Sequence, residues 1–267
     1  MPEKSVKIML ANPIYDPSRR SSQSFTWYQQ IVEQVARQGT KLDCVNLGNG
    51  FFTKRGTAYP DLVNAVGMAE RAYEAEKKGY DAFIIGCAWD PGLREARSLV
   101  RIPVISPTES TLMLTWQLGR KLCALDRRPA KALEYGDLLH KYGIADRLVS
   151  VRCPPEFSSM DDFDLVYGGE ERQKEFVRIV TAEMRRAIVE DHAEVLWYAC
   201  TVGASVLTLH NIYEIDGVSL INPFVAALKM AEVMVDLQRA YGTAVCRSSV
   251  YRSPAAGWEK ERQIPVD

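Results

Sequence analysis

The chain has no C-x-x-C pair, although it carries six cysteines: Cys44, Cys87, Cys123, Cys153, Cys200 and Cys246. Their wide spacing argues against a disulfide framework and against a zinc knuckle. It has only three histidines, His140, His192 and His210, and they lack ligand spacing, so no resident metal is expected. His140 and His192 stand in polar helical contexts and are expected at the surface. Neither sign of charge is in excess, since 33 Lys and Arg face 34 Asp and Glu. No basic field therefore points to nucleic acid or to an anionic membrane as partner. No run reaches ~18 uninterrupted apolar residues, which argues against a spanning helix. The first residues lead directly into a strand pattern and lack the apolar core of a signal peptide. A cytoplasmic location is the simplest expectation. The glycine-rich stretches form neither G-x-G-x-x-G nor a phosphate loop with Lys-Ser/Thr. A nucleotide-binding protein is set aside, and no cofactor is expected.

What is present is an alternation of strand and helix patterns. With 267 residues and 47% hydrophobic content, the chain suits one large α/β domain or two small lobes. Val6 to Asn12 reads as a strand stopped by Pro13, and residues 15–24 as a polar loop. Helical patterns over 25–38 and 61–78 each end at a glycine, Gly39 and Gly79. Strands are expected at 42–47, 81–87 and 102–106. Asp90 is the expected N-cap, and Pro91 the first residue, of a helix between the last two. A further helix covers 108–118. The second half repeats the alternation less cleanly, with strands at 121–125, 148–152, the run into Cys200 and 218–222. Its helices cover 130–141, 171–190 and 224–241. The pattern predicts an α/β fold of parallel sheet with helices on both faces.

Two apolar runs end in a thiol: Asp81-Ala-Phe-Ile-Ile-Gly-Cys87 and Glu194-Val-Leu-Trp-Tyr-Ala-Cys200. Each has an acidic residue six positions before the cysteine. Pro107 follows Cys87 by 20 positions and Pro223 follows Cys200 by 23, and each proline closes a short strand and precedes a helix. The pair reads as one site built twice. A thiol at a strand's carboxyl end, just before a helix N-terminus, meets backbone N–H groups and the positive end of a dipole. That environment stabilises thiolate. The same N–H groups can bind an enolate oxygen, where negative charge develops when an α-proton leaves. One thiolate then acts as base and one neutral thiol as acid. A single cysteine closing an apolar strand is ordinarily a small buried hydrophobe. Cys44, Cys123, Cys153 and Cys246 keep that reading.

Several longer segments extend the pattern. They are Gly79-Tyr-Asp-Ala-Phe-Ile-Ile-Gly-Cys87-Ala-Trp-Asp-Pro-Gly-Leu-Arg-Glu-Ala-Arg, then Ile102-Pro-Val-Ile with Glu109, Cys200-Thr201, Ile221-Asn-Pro-Phe-Val-Ala-Ala-Leu-Lys-Met-Ala-Glu, and the opening Ala11-Asn12-Pro13. Together they resemble the aspartate/glutamate/hydantoin racemase superfamily, nearest its hydantoin and allantoin racemase branch. Ser248, Tyr251 and Pro254 echo its tail. The resemblance implies two pseudo-symmetric α/β lobes, each a mainly parallel sheet flanked by helices, with the active site between them. Residues 1–107 and 224–267 would form the first lobe, with Cys87, and 108–223 the second, with Cys200. It implies a cofactor-independent racemase or epimerase acting on a small-molecule substrate, at a carbon α to the carbonyl of a hydantoin-like ring or amino-acid derivative. Cys87 and Cys200 would be the catalytic acid and base. Asn12 and the main-chain amides of Ala88, Trp89, Thr201 and Val202 would hold the substrate, and Trp89 equally fits a pocket wall or packing. A homo-oligomer stays open.

The chain departs from that family at three places. Gly50-Phe-Phe-Thr-Lys-Arg55 is bulkier and more basic than the loop expected there, so Lys54 and Arg55 are candidate contacts for an acidic substrate group or plain solvated charges. Asp126-Arg-Arg-Pro-Ala follows the strand near Leu125 in place of an apolar-to-Thr run. Ala199 precedes Cys200 where glycine is common. Other readings are a same-fold cis-trans isomerase resembling maleate isomerase, a decarboxylase, or a small-molecule binding protein without catalysis. The presence of Cys87 argues against the decarboxylase, and retention of both thiols against the binding protein.

Overall fold

The computed structural model describes all residues except 1–4, 17–20, 52–56, 159–161, 249 and 263–267, and only the backbone of 129–133, 259 and 262. Its elements begin β1 (Val6–Asn12), α1 (Ser21–Val35), β2 (Thr40–Asn46), α2 (Ala58–Lys77), β3 (Ala82–Ile85), α3 (Leu93–Leu99), β4 (Val104–Ile105) and α4 (Pro107–Leu118). There follow β5 (Leu122–Leu125), α5 (Pro129–Lys141), β6 (Leu148–Arg152), α6 (Asp162–Val166), α7 (Glu170–Glu190), β7 (Val195–Tyr198) and α8 (Thr201–Leu209). The chain closes with β8 (Glu214–Ile215), β9 (Val218–Ile221), α9 (Pro223–Tyr241) and α10 (Trp258–Arg262). Two compact units result. One comprises Met1–Ser21, Val35–Ser106 and Ala227–Asp267, the other Ser22–Gln34 and Pro107–Ala226.

The first unit holds a four-stranded, wholly parallel sheet in the order β2-β1-β3-β4. All of Ala82, Phe83, Ile84 and Ile85 are buried, as a strand covered on both faces requires. On one face Met9, Ala11, Phe83 and Ile85 pack with Met68, Ala72 and Tyr73 of α2 and Leu93 and Ala96 of α3. Each large side chain buried there contributes roughly 1.5–3 kcal/mol. The second unit holds a five-stranded sheet, β6-β5-β7-β9-β8, in which only β8 runs antiparallel, to β9. β5 and β7 are buried along their whole length.

Both sheets therefore begin with one parallel topology: the second strand of the unit, then the first, the third and the fourth parallel strand, which is β4 in one and β9 in the other. Register makes the match residue by residue. Ala11 pairs with Ile85 in the first sheet and Leu125 with Tyr198 in the second. Pro107 and Pro223 each open a helix, after β4 and after β9, where a missing N–H costs nothing. The acidic residues that precede the thiols act at the other end of the sheets. Asp81 accepts the Lys7 N–H at 2.8 Å and Glu194 accepts the Arg120 N–H at 2.7 Å. They tie strand starts together and take no part near either thiol.

Two local expectations are corrected. Helix α1 starts at Ser21, not near 25, because the Asp16 carboxylate accepts both the Ser21 N–H and its hydroxyl at 2.6 Å. Asp90 is not an N-cap and Pro91 is not in a helix. Asp90 adopts φ +50°, and α3 begins at Leu93 behind Gly92 at φ +70°. The Asp90 carboxylate instead accepts the Ser106 hydroxyl at 2.7 Å. His140 and His192 are exposed, as expected. Among the described residues, no helix is long and apolar enough to cross a membrane.

Candidate active site

In each sheet the chain leaves the first strand on one side and builds the third on the other. The carboxyl ends of those two strands form the switch point where open α/β sheets bind ligands. In the first unit the strands are β1 and β3. The Gly86 N–H donates to the Ala11 carbonyl at 2.8 Å, and Cys87 stands one residue further on, partly exposed. A Cβ at Gly86 would lie 2.6 Å from the Ala11 carbonyl oxygen and 2.6 Å from Asn12 Oδ1. Asn12 is 4% exposed, and its Oδ1 is buried with no hydrogen-bond partner among the described residues. Such an acceptor costs about 1–3 kcal/mol unless a donor satisfies it. Ala88 is buried and Trp89 half-buried. Past Cys87 the chain turns, with the Asp90 N–H on the Cys87 carbonyl at 3.1 Å. Cys87 therefore does not meet a helix N-terminus, which corrects the expectation for that thiol.

In the second unit the strands are β5 and β7. The Ala199 N–H donates to the Leu125 carbonyl at 2.8 Å, the counterpart of the Gly86 bond. By the same register Asp126 stands where Asn12 does, and Arg127 where Pro13 does. Cys200, partly exposed, is the N-cap of α8 with extended backbone, so here the helix N-terminus is present. Burial pushes the Cys200 thiol above its ordinary range. Arg127 and hydrogen bonds from the Gly203 and Val202 N–H groups pull it down, while Asp162 pushes it up. Thr201 is buried and takes the Tyr28 hydroxyl at 3.0 Å on its Oγ1. The Tyr135 hydroxyl donates to the Ala199 carbonyl at 2.8 Å, fixing the residue before the thiol.

Beside this thiol lies a buried charge cluster. Arg127 donates from Nε to Asp162 Oδ1 at 2.6 Å, and its Nη2 also contacts that oxygen. Its guanidinium lies 3.7 Å from the Phe163 ring centroid. The Asp162 side chain is 1% exposed, and the Tyr198 hydroxyl reaches its other oxygen at 3.4 Å. Asp126 Oδ1 accepts the Arg128 N–H at 2.8 Å. Burial raises the Asp126 carboxyl from its ordinary 3.8 to about 6, with Asp162 adding to the rise and the Arg128 N–H, Arg128 and Arg127 opposing it. The folded state thus holds this proton more tightly than the unfolded chain. Folding becomes costlier as pH rises between those two values, by about 3 kcal/mol at most. Asp126→Asn is expected to be more stable than the parent above pH 6 and to converge with it near pH 3. Urea titrations across that range check this, and a constant difference at all pH values would sink it.

The remaining cysteines differ in kind. Burial first, then Asp43, pushes Cys44 up to about 12, and burial does the same for Cys123 and Cys153. Cys246 corrects the expectation of packing: it is exposed, with Sγ 2.9 Å from the Ser248 hydroxyl. Phe51 is exposed, edge-on to Tyr59 at 6.2 Å. Phe52, Lys54 and Arg55 lie outside the described residues. Among the described residues no group of three His, Cys, Asp or Glu could hold a metal ion.

Four further residues that support the two strand ends escaped sequence reasoning. Gly203 donates to Cys200, and Tyr28 supports Thr201. Asp162 anchors Arg127. Asn64, 2% exposed, bonds the Pro13 carbonyl at 3.1 Å and the Phe51 N–H at 2.9 Å, tying down the chain after Asn12. Only the Asp126-Arg127-Arg128 departure gave any signal.

Comparison with known proteins matches this geometry to a family. A profile described as Asp/Glu/Hydantoin racemase matches residues 19–231. The chain is 30% identical over 233 residues to a hydantoin racemase of Pseudomonas sp. (strain NS671), covering 85% of each chain. Its fold is similar to allantoin racemase from Pseudomonas fluorescens, with TM-score 0.77, 23% identity and coverage of 93% of this chain and 97% of that one. It is also similar to allantoin racemase from Klebsiella pneumoniae, with TM-score 0.76, 22% identity and 94% of both chains covered. The two mainly parallel sheets flanked by helices, the repeated cysteine positions and the match across most of the chain lead to one assignment: this chain belongs to the Asp/Glu/hydantoin racemase family and is a racemase, an isomerase.

Proposed function

We propose that the protein is a cofactor-independent racemase or epimerase of a carbon α to a carbonyl, in a hydantoin-like ring or an amino-acid derivative. Cys87 and Cys200 are its acid and base. One thiolate takes the α-proton, the electron pair moves onto the carbonyl oxygen, and the other thiol returns a proton to the opposite face. The first cysteine ends as thiol and the second as thiolate, so atoms and charge balance. The reverse reaction exchanges the roles.

One observation carries the reading. In both sheets the third strand ends, at the same register position, in a partly exposed cysteine beside the first strand's carboxyl end. Asn12, with its buried unpaired acceptor, suits a ligand N–H. The amides of Ala88, Trp89, Thr201 and Val202 are proposed to hold the enolate oxygen and its neighbours. The hydantoin racemase of Pseudomonas sp. at 30% identity supports the ring substrate.

The test follows optical rotation of single enantiomers of 5-substituted hydantoins, allantoin and free amino acids in deuterated buffer. Rotation should decay to zero for one of these classes, with a single deuteron at the α-carbon of both product enantiomers. Decay without α-deuteration would rule out proton transfer. No decay for any class would remove the substrate assignment.

A further inference from the structure

The two cysteine sites are equal in register, and among the described residues the first strand beside each thiol continues into different side chains. Asn12 and Pro13 follow the last pair of β1 with β3, and Asp126 and Arg127 follow the last pair of β5 with β7. A neutral amide and a proline ring thus neighbour Cys87's strand, while a carboxyl and a guanidinium neighbour Cys200's. The Arg127 side chain is 14% exposed. Asp162 holds it by two contacts on one oxygen, Phe163 covers one face, and the Tyr198 hydroxyl steadies Asp162. Burying a guanidinium costs several kcal/mol of desolvation unless a partner compensates it. Asp162 compensates that charge, and Arg127 stands two positions past Leu125 as Cys200 stands two past Tyr198. The helix N-terminus at Cys200, absent at Cys87, adds positive potential in the same place.

We propose that Arg127 is a positioning residue for Cys200: its charge, held by Asp162, offsets part of the cost that burial sets on the thiolate there. The inference rests on the two-thiol reading and deepens it by naming a residue that tunes one of the thiols. The groups that face Cys200 are Arg127 after β5, Asp162 of α6, Tyr198 of β7 and the N–H groups of Val202 and Gly203 in α8. Asp126 flanks Arg127. Burial and Asp162 oppose the thiolate, and Arg127 and the two N–H groups favour it. Removing Arg127 and removing the Asp162 charge should therefore move Cys200 in opposite directions. An ion pair without electrostatic reach to the thiol would move it in neither direction.

Carboxamidomethylation of each cysteine by iodoacetamide, followed by mass spectrometry across pH, reads this directly. The thiolate displaces iodide, so the midpoint of each profile reports one thiol. Arg127→Met should raise the Cys200 midpoint by about one pH unit or more and leave the Cys87 midpoint in place. Arg127→Lys should restore much of the shift, and Asp162→Asn should lower the midpoint. In racemisation Arg127→Met should lower kcat near neutral pH about tenfold, with KM within about twofold and activity recovering at alkaline pH. If Arg127→Met does not fold, Arg127→Lys and Asp162→Asn still carry the test. An unmoved Cys200 midpoint, movement of both charge variants in one direction, or a rise in KM alone overturns the assignment. Inert cysteine variants with an unmoved midpoint overturn the Arg127 role alone. Cys87→Ser or Cys200→Ser racemising at the parent rate overturns the two-thiol reading and this assignment together.

Discussion

Cys87→Ser and Cys200→Ser are each expected to lower racemisation by about a thousandfold or more while leaving one half of the chemistry alive. A positioned acid or base contributes about 10²–10⁴ in rate, and racemisation needs one of each. A serine hydroxyl is too weak an acid to supply an anionic base near neutral pH and a poorer proton donor than a thiol. Cys87→Ser keeps Cys200, so the α-proton of one enantiomer should still exchange with deuterated solvent. The opposite enantiomer should exchange in Cys200→Ser. Both cysteines are partly exposed at strand ends, so the Sγ-to-Oγ change leaves no core cavity, and melting temperatures should stay close to the parent's. Proton exchange by NMR on each enantiomer, with polarimetry beside it, checks the pattern. Exchange of both enantiomers in a single variant would mean that one thiol serves both faces.

Gly86→Ala should cost about 3–5 kcal/mol, an effect reserved for strain in a site that cannot yield. The added Cβ meets the Ala11 carbonyl oxygen and Asn12 Oδ1, both at 2.6 Å. That carbonyl already accepts the Gly86 N–H at 2.8 Å and belongs to a strand paired on both sides. It cannot retreat without opening the ladder. The equivalent residue in the second sheet is Ala199, buried and tolerated. Ala199→Gly should therefore cost only about 0.5–1 kcal/mol, from backbone entropy. Urea denaturation of the two variants measures the contrast. A Gly86→Ala variant within about 1 kcal/mol of the parent would show that the close approach is not rigid.

Much of this architecture was legible in the sequence. The strands into Cys87 and Cys200 are continuous apolar runs because central parallel strands are covered on both faces. Gly79, at φ +73°, follows the C-cap of α2, whereas α1 already ends at Val35, before Gly39. Pro107 and Pro223 mark helix starts. Other readings failed where distant contacts outweigh local preference. Asp90-Pro91 has the composition of a helix cap, yet Ser106 claims the Asp90 carboxylate and the helix starts later. The acid six positions before each thiol marked the repeat, without showing what it does. Asp81 and Glu194 instead bond backbone at the far ends of their strands. The Asp126-Arg127-Arg128 run was visible as a departure, but its composition alone reads equally well as a solvated loop.

The sequence by itself determined the element pattern, the repeat and the like placement of two cysteines in it, because periodicity and turn chemistry are written in near neighbours. Tertiary structure alone decided what surrounds each thiol. Arg127 reaches Asp162 across 35 positions and Tyr28 reaches Thr201 across 173. Register alone sets Asn12 and Pro13 beside Cys87's strand end and Asp126 and Arg127 beside Cys200's. Such neighbours exist only once the sheets have formed. The loop closures that bring them together depend on packing along the whole chain, and no local stretch of sequence encodes them.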